Sequence, residues 1–468
     1  MTTPLVFLPA TEIVQLVKRG QCSARDLVAA HLDRIAEMNP SLNAFVQIRA
    51  DDALAEAAAQ DEAAARGVDR GPLGGLPISV KSAIDVAGLR CETGSPSQAG
   101  TIAARDAVVV GRLRAAGAIV VGTTNVAELL MAYESDNPLY GRTNNPLDLT
   151  RTSGGSSGGE SAAIAAGCSA GGVGSDGGGS IRVPAHFCGI CGLKPTPGVI
   201  PSTGHRPRCL GPFSLIGVVG PMARTVGDLA LLFDAMAGPD WNDPLAAPID
   251  REAAPIDREM RLGYFEHDGT TPVTSQTAAA VTAAARAAAA AGYHVEPFRP
   301  AVLERARALW NVFFVKAGAA LLNDVLHGAE TSLPIIREAV SSGVSLPLSP
   351  RELLDAWLER DAIRAALLDE MERYRVLLCP VASIPAFRHG EREWDVNGKR
   401  VRYVDAMSYT VWWNILGNPV AVVPVGKSEE GLPIGVQIVG RPYEERTVLA
   451  IAEAIERECR RSHVVSKS

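Results

Sequence analysis

The chain has 468 residues, 47% of them hydrophobic and 21% charged, with a formal net charge of −7. This is an ordinary globular composition with enough apolar material for a large core, and its acidic balance argues against nucleic acid, because phosphate-binding surfaces carry a basic excess. No apolar run approaches the roughly 18 residues of a membrane span, and the opening MTTPLVFLPATE lacks the basic region of a secretory leader.

In chain order, residues 11–37 read as amphipathic helices, with Ser23 an N-cap before ARDLVAAHLDRIAEM. LPISVKSAIDV (76–86) is short, β-branched and flanked by glycine, so it is predicted as a strand. A helix from Asp106, closed by Gly117, leads to the strand AIVVG (118–122). Residues 150–181 are punctuated by Gly and Ser, with a helix start at ESAAIAA, and 224–238 is a strong helix. Residues 239–260, rich in Pro, Asp and Ala, read as a surface excursion. Strands are then expected at 261–266 and 293–298 around an Ala-rich helix at 276–291, helices at 301–327 and 350–374, and a strand at 376–382. A helical stretch near 403–416, strands at 420–426 and 434–440, and a last helix at 443–460 complete the chain. Strands interleaved with helices, and no linker between independently patterned halves, indicate one α/β domain with a sheet covered on both faces. The eight scattered cysteines suggest reduced thiols and a cytoplasmic setting. Cys188 and Cys191 have redox or zinc spacing, but with no second pair and no His cluster nearby they are expected to be packed thiols.

Three stretches could carry chemistry. In SGGSSGGESAAIAAG (153–167) there is no Walker lysine, so a phosphate loop is unsupported; GGSSG fits a nucleophile elbow, yet the polar NNPLDLTRT before it is a poor strand. In SDGGGSIRVPA (175–185), Gly177, Gly178 and Gly179 run into Ser180, and such a loop exposes consecutive backbone N–H groups suited to a developing oxyanion. Asp176 and Arg182 on either side read as an ion pair that shapes the loop. The third is Lys81, one of only seven lysines, in the apolar strand; desolvation would lower its pKa and turn it into a base, although most strand lysines face solvent. No His/Asp/Glu cluster has ligand spacing, so neither metal nor organic cofactor is expected.

Together these stretches resemble the amidase signature family. The resemblance rests on GGSSGGESAAIA (154–165), six further residues, and GVGSDGGGSIRVPA (172–185). VKSAIDVAG, ESDNPLYGRTNNP, CGICGLKPT and the C-terminal NILGNPVAVVPVG and GLPIGVQIVGRPYEE extend it to about 10–240 and 375–460. CGICGLKPT is similar to fatty-acid amide hydrolases. The resemblance implies a central twisted mixed sheet with helices on both faces, a signature core at about 75–240 and a variable pocket segment at about 240–375. It also implies a catalytic set of Lys81, Ser156 after a cis peptide bond, and nucleophilic Ser180, with the oxyanion loop on Gly177–Ser180. Many members have threonine or isoleucine where this chain has Gly177, which implies a looser loop here. Alignment with fatty-acid amide hydrolases places Leu130, Met131 and Tyr133 near the acyl carbonyl.

The expected activity is hydrolysis of bulky neutral amides such as anilides and aryl or fatty amides, with carbamates and esters as extensions. The expected partner is a small-molecule amide, and the expected state is a monomer or homodimer. The rivals are a Ser-His-Asp hydrolase using His186 or His205, the amidase-like subunit of a glutamine-dependent tRNA amidotransferase, and a non-catalytic binding protein. Trp310, Phe313 and Phe314 lie at i, i+3 and i+4, with Val315 following, and are expected to pack in the core or to line the pocket.

Overall fold

The computed structural model describes residues 3–209, 211–246, 248, 259–318, 337 and 348–465. Eleven strands form one sheet in the spatial order Phe45–Ile48, Ile119–Thr124, Pro77–Lys81, Gly171–Asp176, Val218–Ala223, Cys191–Lys194, Val420–Lys427, Pro433–Val439, Val376–Pro380, Arg261–Tyr264 and His294–Pro297. Pro77–Lys81 is parallel to both its neighbours, and the last three strands are parallel to one another. The strands between pair antiparallel. The class is therefore α/β with a mixed sheet, as expected.

Alternation decides what each strand offers to each face. Ile78 and Val80 enter the main core with Val173, Val423 and Val436, beneath the helices Val226–Met236, Ser275–Ala290 and Glu445–Val465. Ser79 and Lys81 consequently project to the opposite face, where the helices Gly158–Ala165 and Arg182–Cys188 pack. Both residues are fully buried. A lysine and a serine reach the interior because their neighbours at odd spacing supply the apolar face.

The structure departs from the sequence expectations in several places. The helices expected at 11–37 are Ala10–Lys18 and Ala24–Leu42, and Ser23 caps the second by accepting from Asp26 N at 2.9 Å, but the second runs on to Leu42. The strand predicted at 76–86 ends at Lys81. Helix Ala50–Ala65 escapes pattern reading because it buries only Ala53 and Ala57, too narrow an apolar stripe to see among its alanines. Gly171–Asp176 (GGVGSD) is a fully buried strand although glycine is a poor strand former. Its glycines are there for close approach: a Cβ at Gly172 would collide with the Glu160 carboxylate. The helix expected at 301–327 is α-helical over Leu303–Trp310 and continues as a π-helical turn over Asn311–Lys316, while 319–327 lies outside the described residues. Most of the excursion beyond residue 248 does so as well. Among the described residues no helix is long and apolar enough to cross a membrane.

Candidate active site

A cavity of about 520 Å³ opens onto the sheet face that carries Lys81. Its floor is formed by Ser156, Ser175, Gly177, Gly178 and Ser180, and its walls by Leu129, Leu130, Met131, Tyr133, Phe213, Ile216, Trp310, Phe314 and Val315. Strand Gly171–Asp176 delivers Ser175 and the glycine loop, strand Pro77–Lys81 delivers the lysine, and the turn into Gly158–Ala165 delivers Ser156. The Gly155–Ser156 peptide bond is cis.

Lys81 Nζ donates to Ser156 Oγ at 2.7 Å, Ser157 Oγ at 2.8 Å and Ser175 Oγ at 3.0 Å. Burial pushes its pKa down to about 7, a fall that Asp176 and Glu160 partly resist. The amine thus sits among hydroxyls rather than against a carboxylate, so its neutral form is accessible near neutrality. Ser157 and Ser175 carry no signal of their own in the sequence; Ser157 directly follows Ser156, and Ser175 stands beside Asp176, so the motif already contains both.

The glycine loop is tied down on its far side. Arg182 donates Nε to Asp176 Oδ2 and Nη2 to Asp176 Oδ1, each at 2.9 Å, with both side chains fully buried. Burial alone would raise the Asp176 carboxyl, but Arg182 outweighs it and holds the group well below the usual carboxylate range. Arg182 also reaches Thr410 O at 2.9 Å and Gln437 Oε1 at 2.8 Å. Thr410 Oγ1 (2.6 Å) and Tyr133 OH (3.1 Å) donate to Gly178 O, and Asn414 Nδ2 donates to Asp176 O at 3.2 Å. In a trans peptide the C=O and the following N–H point oppositely, so these donors set the planes that carry the Gly177 and Gly179 N–H groups. Thr410, Asn414 and Gln437 lie more than 200 residues from the loop and carry no local signal.

One expectation is narrowed here. Gly179, with φ of 125°, turns its N–H onto Asp176 Oδ1 at 2.7 Å. That N–H is committed to holding the loop, which leaves Gly177 and Gly178 as the glycines facing the cavity. Neither is idle space: a Cβ on Gly178 would strike the Trp310 indole, and one on Gly177 would meet Phe314 Cε2 at 3.5 Å.

Both histidines of the rival triad are placed. His186 accepts from Gly435 N through Nδ1 (2.7 Å) and holds Ile384 O through Nε2 (3.1 Å), so both ring nitrogens serve the packing. His205 lies in the cavity wall with Nδ1 on Pro207 O at 2.9 Å. Burial pushes each pKa down to about 4. Cys188 and Cys191 are buried free thiols.

The aromatic stripe divides. Trp310 and Phe314 stack with ring centroids 4.2 Å apart and line the cavity, whereas Phe313 is wholly buried against Trp357 at 4.7 Å. Phe313→Ala is expected to cost about 3–5 kcal/mol of stability, as for a buried Phe elsewhere. Phe314→Ala is expected to change KM with little loss of Tm. Thermal melts and Michaelis curves on the two variants check the assignment, and the reverse pattern would return Phe314 to the core.

The amidase family model matches residues 26–449 of the chain. Human fatty-acid amide hydrolase 2 is 32% identical over 98% of this chain and 90% of its own length. A glutamyl-tRNA(Gln) amidotransferase subunit from Alkaliphilus metalliredigens is 32% identical over 94% of each chain. The crystal structure of a bacterial aryl acylamidase of the amidase signature family superposes with a TM-score of 0.87 at 27% identity, over 97% of each chain. With nearly the whole length matched and a mixed helix-covered sheet in common, this chain belongs to the amidase signature family of amide hydrolases.

Proposed function

We propose that the protein hydrolyses bulky neutral amides through an acyl-enzyme on Ser180, with Lys81 as base and Ser156 as the relay between them. The observation that carries this reading is the buried Lys81 amine 2.7 Å from the Oγ of Ser156, a residue that lines the same cavity as Ser180. Neutral Lys81 draws the Ser156 proton as Ser156 takes that of Ser180, and Ser180 Oγ attacks the carbonyl carbon. The N–H groups of Gly177 and Gly178 receive the oxyanion, on a loop held by the Asp176–Arg182 pair, by Asn414 on Asp176 O and by Thr410 and Tyr133 on Gly178 O. One such donor is typically worth about 3–4 kcal/mol in the transition state. The proton returns through Ser156 to the leaving nitrogen, the amine departs, and water repeats the sequence to release the acid. No step requires a metal or cofactor.

The substrate class follows from the walls. Leucine, methionine and a stacked Trp310–Phe314 pair favour an aromatic or medium-length apolar group over a short charged one. Anilides and aryl or fatty amides suit this lining, and aryl carbamates (a urethanase activity) and esters present the same type of carbonyl. The similarity to the amidotransferase sustains a second reading, in which glutamine is the amide and partner chains receive the ammonia. A panel of anilides, fatty amides, carbamates, esters, malonamide and glutamine, run on the purified chain alone, decides between them. Anilides are expected to turn over fastest. Faster turnover of malonamide or glutamine would refute the proposed substrate class.

A further inference from the structure

Glu160 holds Ser79, two residues before the lysine on its strand, and has no part in the mechanism above. It is the third residue of helix Gly158–Ala165 and is fully buried. Its carboxyl accepts from Ser79 Oγ at 2.5 Å and from Thr124 Oγ1 at 2.8 Å, and the Ser79 hydroxyl also lies 2.9 Å from that of Ser169. Ser79 and Lys81 are two residues apart on one strand and so share its face. The space the carboxyl occupies exists because Gly172 has no side chain. A Glu in this place is supported by neutral hydroxyls, unlike Asp176, whose charge is answered by the Arg182 fork.

We propose that Glu160 is a positioning residue that acts on Lys81 through charge: its carboxylate stabilises the ammonium that Lys81 becomes when it takes the proton of the nucleophile. The inference rests on the reading of Lys81 as the base. Burial pushes the Glu160 pKa up to about 7 while it pushes that of Lys81 down to about 7, so the two groups titrate in one range and each favours ionisation of the other. The remaining titratable groups that act on Lys81 hold one state there. Asp176 stays ionised in its pair with Arg182, and burial keeps the Cys209 thiol (about 12) and the His205 ring (about 4) neutral. Near neutrality the charge that can vary beside Lys81 is therefore that of Glu160.

The test reads the lysine directly. The chain has seven lysines, so ¹³Cε-lysine labelling gives a short spectrum in which Lys81→Met assigns the resonance of Lys81. In Glu160→Gln the Lys81 midpoint is expected to fall by about one pH unit, and the acidic limb of kcat/KM is expected to move the same way. Thr124→Val, which removes one donor from the carboxylate, should give a smaller shift in the same direction and serves if the Gln variant does not fold. A midpoint near 7 that ignores both folded variants overturns this proposal while leaving Lys81 as the base. A wild-type midpoint near that of an ordinary lysine overturns the base itself, and this inference with it.

Discussion

Replacing Ser180 with alanine is expected to lower kcat/KM by at least about a thousandfold for any amide the wild-type chain cleaves, because no covalent intermediate can then form. The fold should survive. The Ser180 carbonyl, which accepts from Ser157 N at 3.2 Å, belongs to the backbone, and the Asp176–Arg182 pair that shapes the loop is untouched by the change. A fluorophosphonate probe should label the wild-type protein at one site, and peptide mapping should place the label on Ser180. The label on Ser156 instead would exchange the two serines' roles and revive a nucleophile-elbow reading of GGSSG.

Lys81→Ala is expected to lose about 10²–10⁴-fold in rate, the usual contribution of a positioned base, while melting cooperatively as a folded protein. The pH dependence carries the sign of the argument. A lysine pushed down to about 7 is a free amine above that value and an ammonium below it. Activity should therefore be full on the alkaline side and fall as pH drops through about 7, the reverse of an enzyme that needs a protonated group. Lys81→Arg should not rescue, since a guanidinium stays charged throughout and cannot accept the proton. Near-normal rates in Lys81→Ala at neutral pH would mean that another group takes the proton. His205 would then be the first to test, being the histidine in the cavity wall.

The substrate-facing half of the protein is less legible in the sequence than the chemical half. Trp310, Phe313 and Phe314 sit at helical spacing, which predicts one fate for all three. On a stretch that turns π-helical at Asn311–Lys316, Phe314 stacks on Trp310 at the cavity while Phe313 stays in the core. Hydrophobicity reads the same for a side chain that lines a cavity and one that fills a core; only the neighbouring chain decides which it is. The same limit explains the strand Gly171–Asp176. Its glycines give no strand signal because propensity is local, whereas their reason comes from neighbours in space: Glu160 at Gly172, Leu232 at Gly171 and Met222 at Gly174.

The sequence by itself determined the elements with strong periodicity, the α/β class and the catalytic candidates. The catalytic candidates came with the motif resemblance, which is continuous along the chain; by composition alone only the three glycines before Ser180 are costly, and Lys81 reads as an ordinary strand lysine. The Asp176–Arg182 pair was also readable, since its partners are six residues apart. The tertiary structure alone decided that Lys81 is buried among three serines rather than facing solvent. It also decided that Gly179 spends its N–H on Asp176, and that Thr410, Asn414 and Gln437 arrive from the C-terminal third to hold the loop. The reason is physical: desolvation and hydrogen-bond partners are properties of a place in the fold, and a residue's own sequence neighbours specify only the backbone that brings it there.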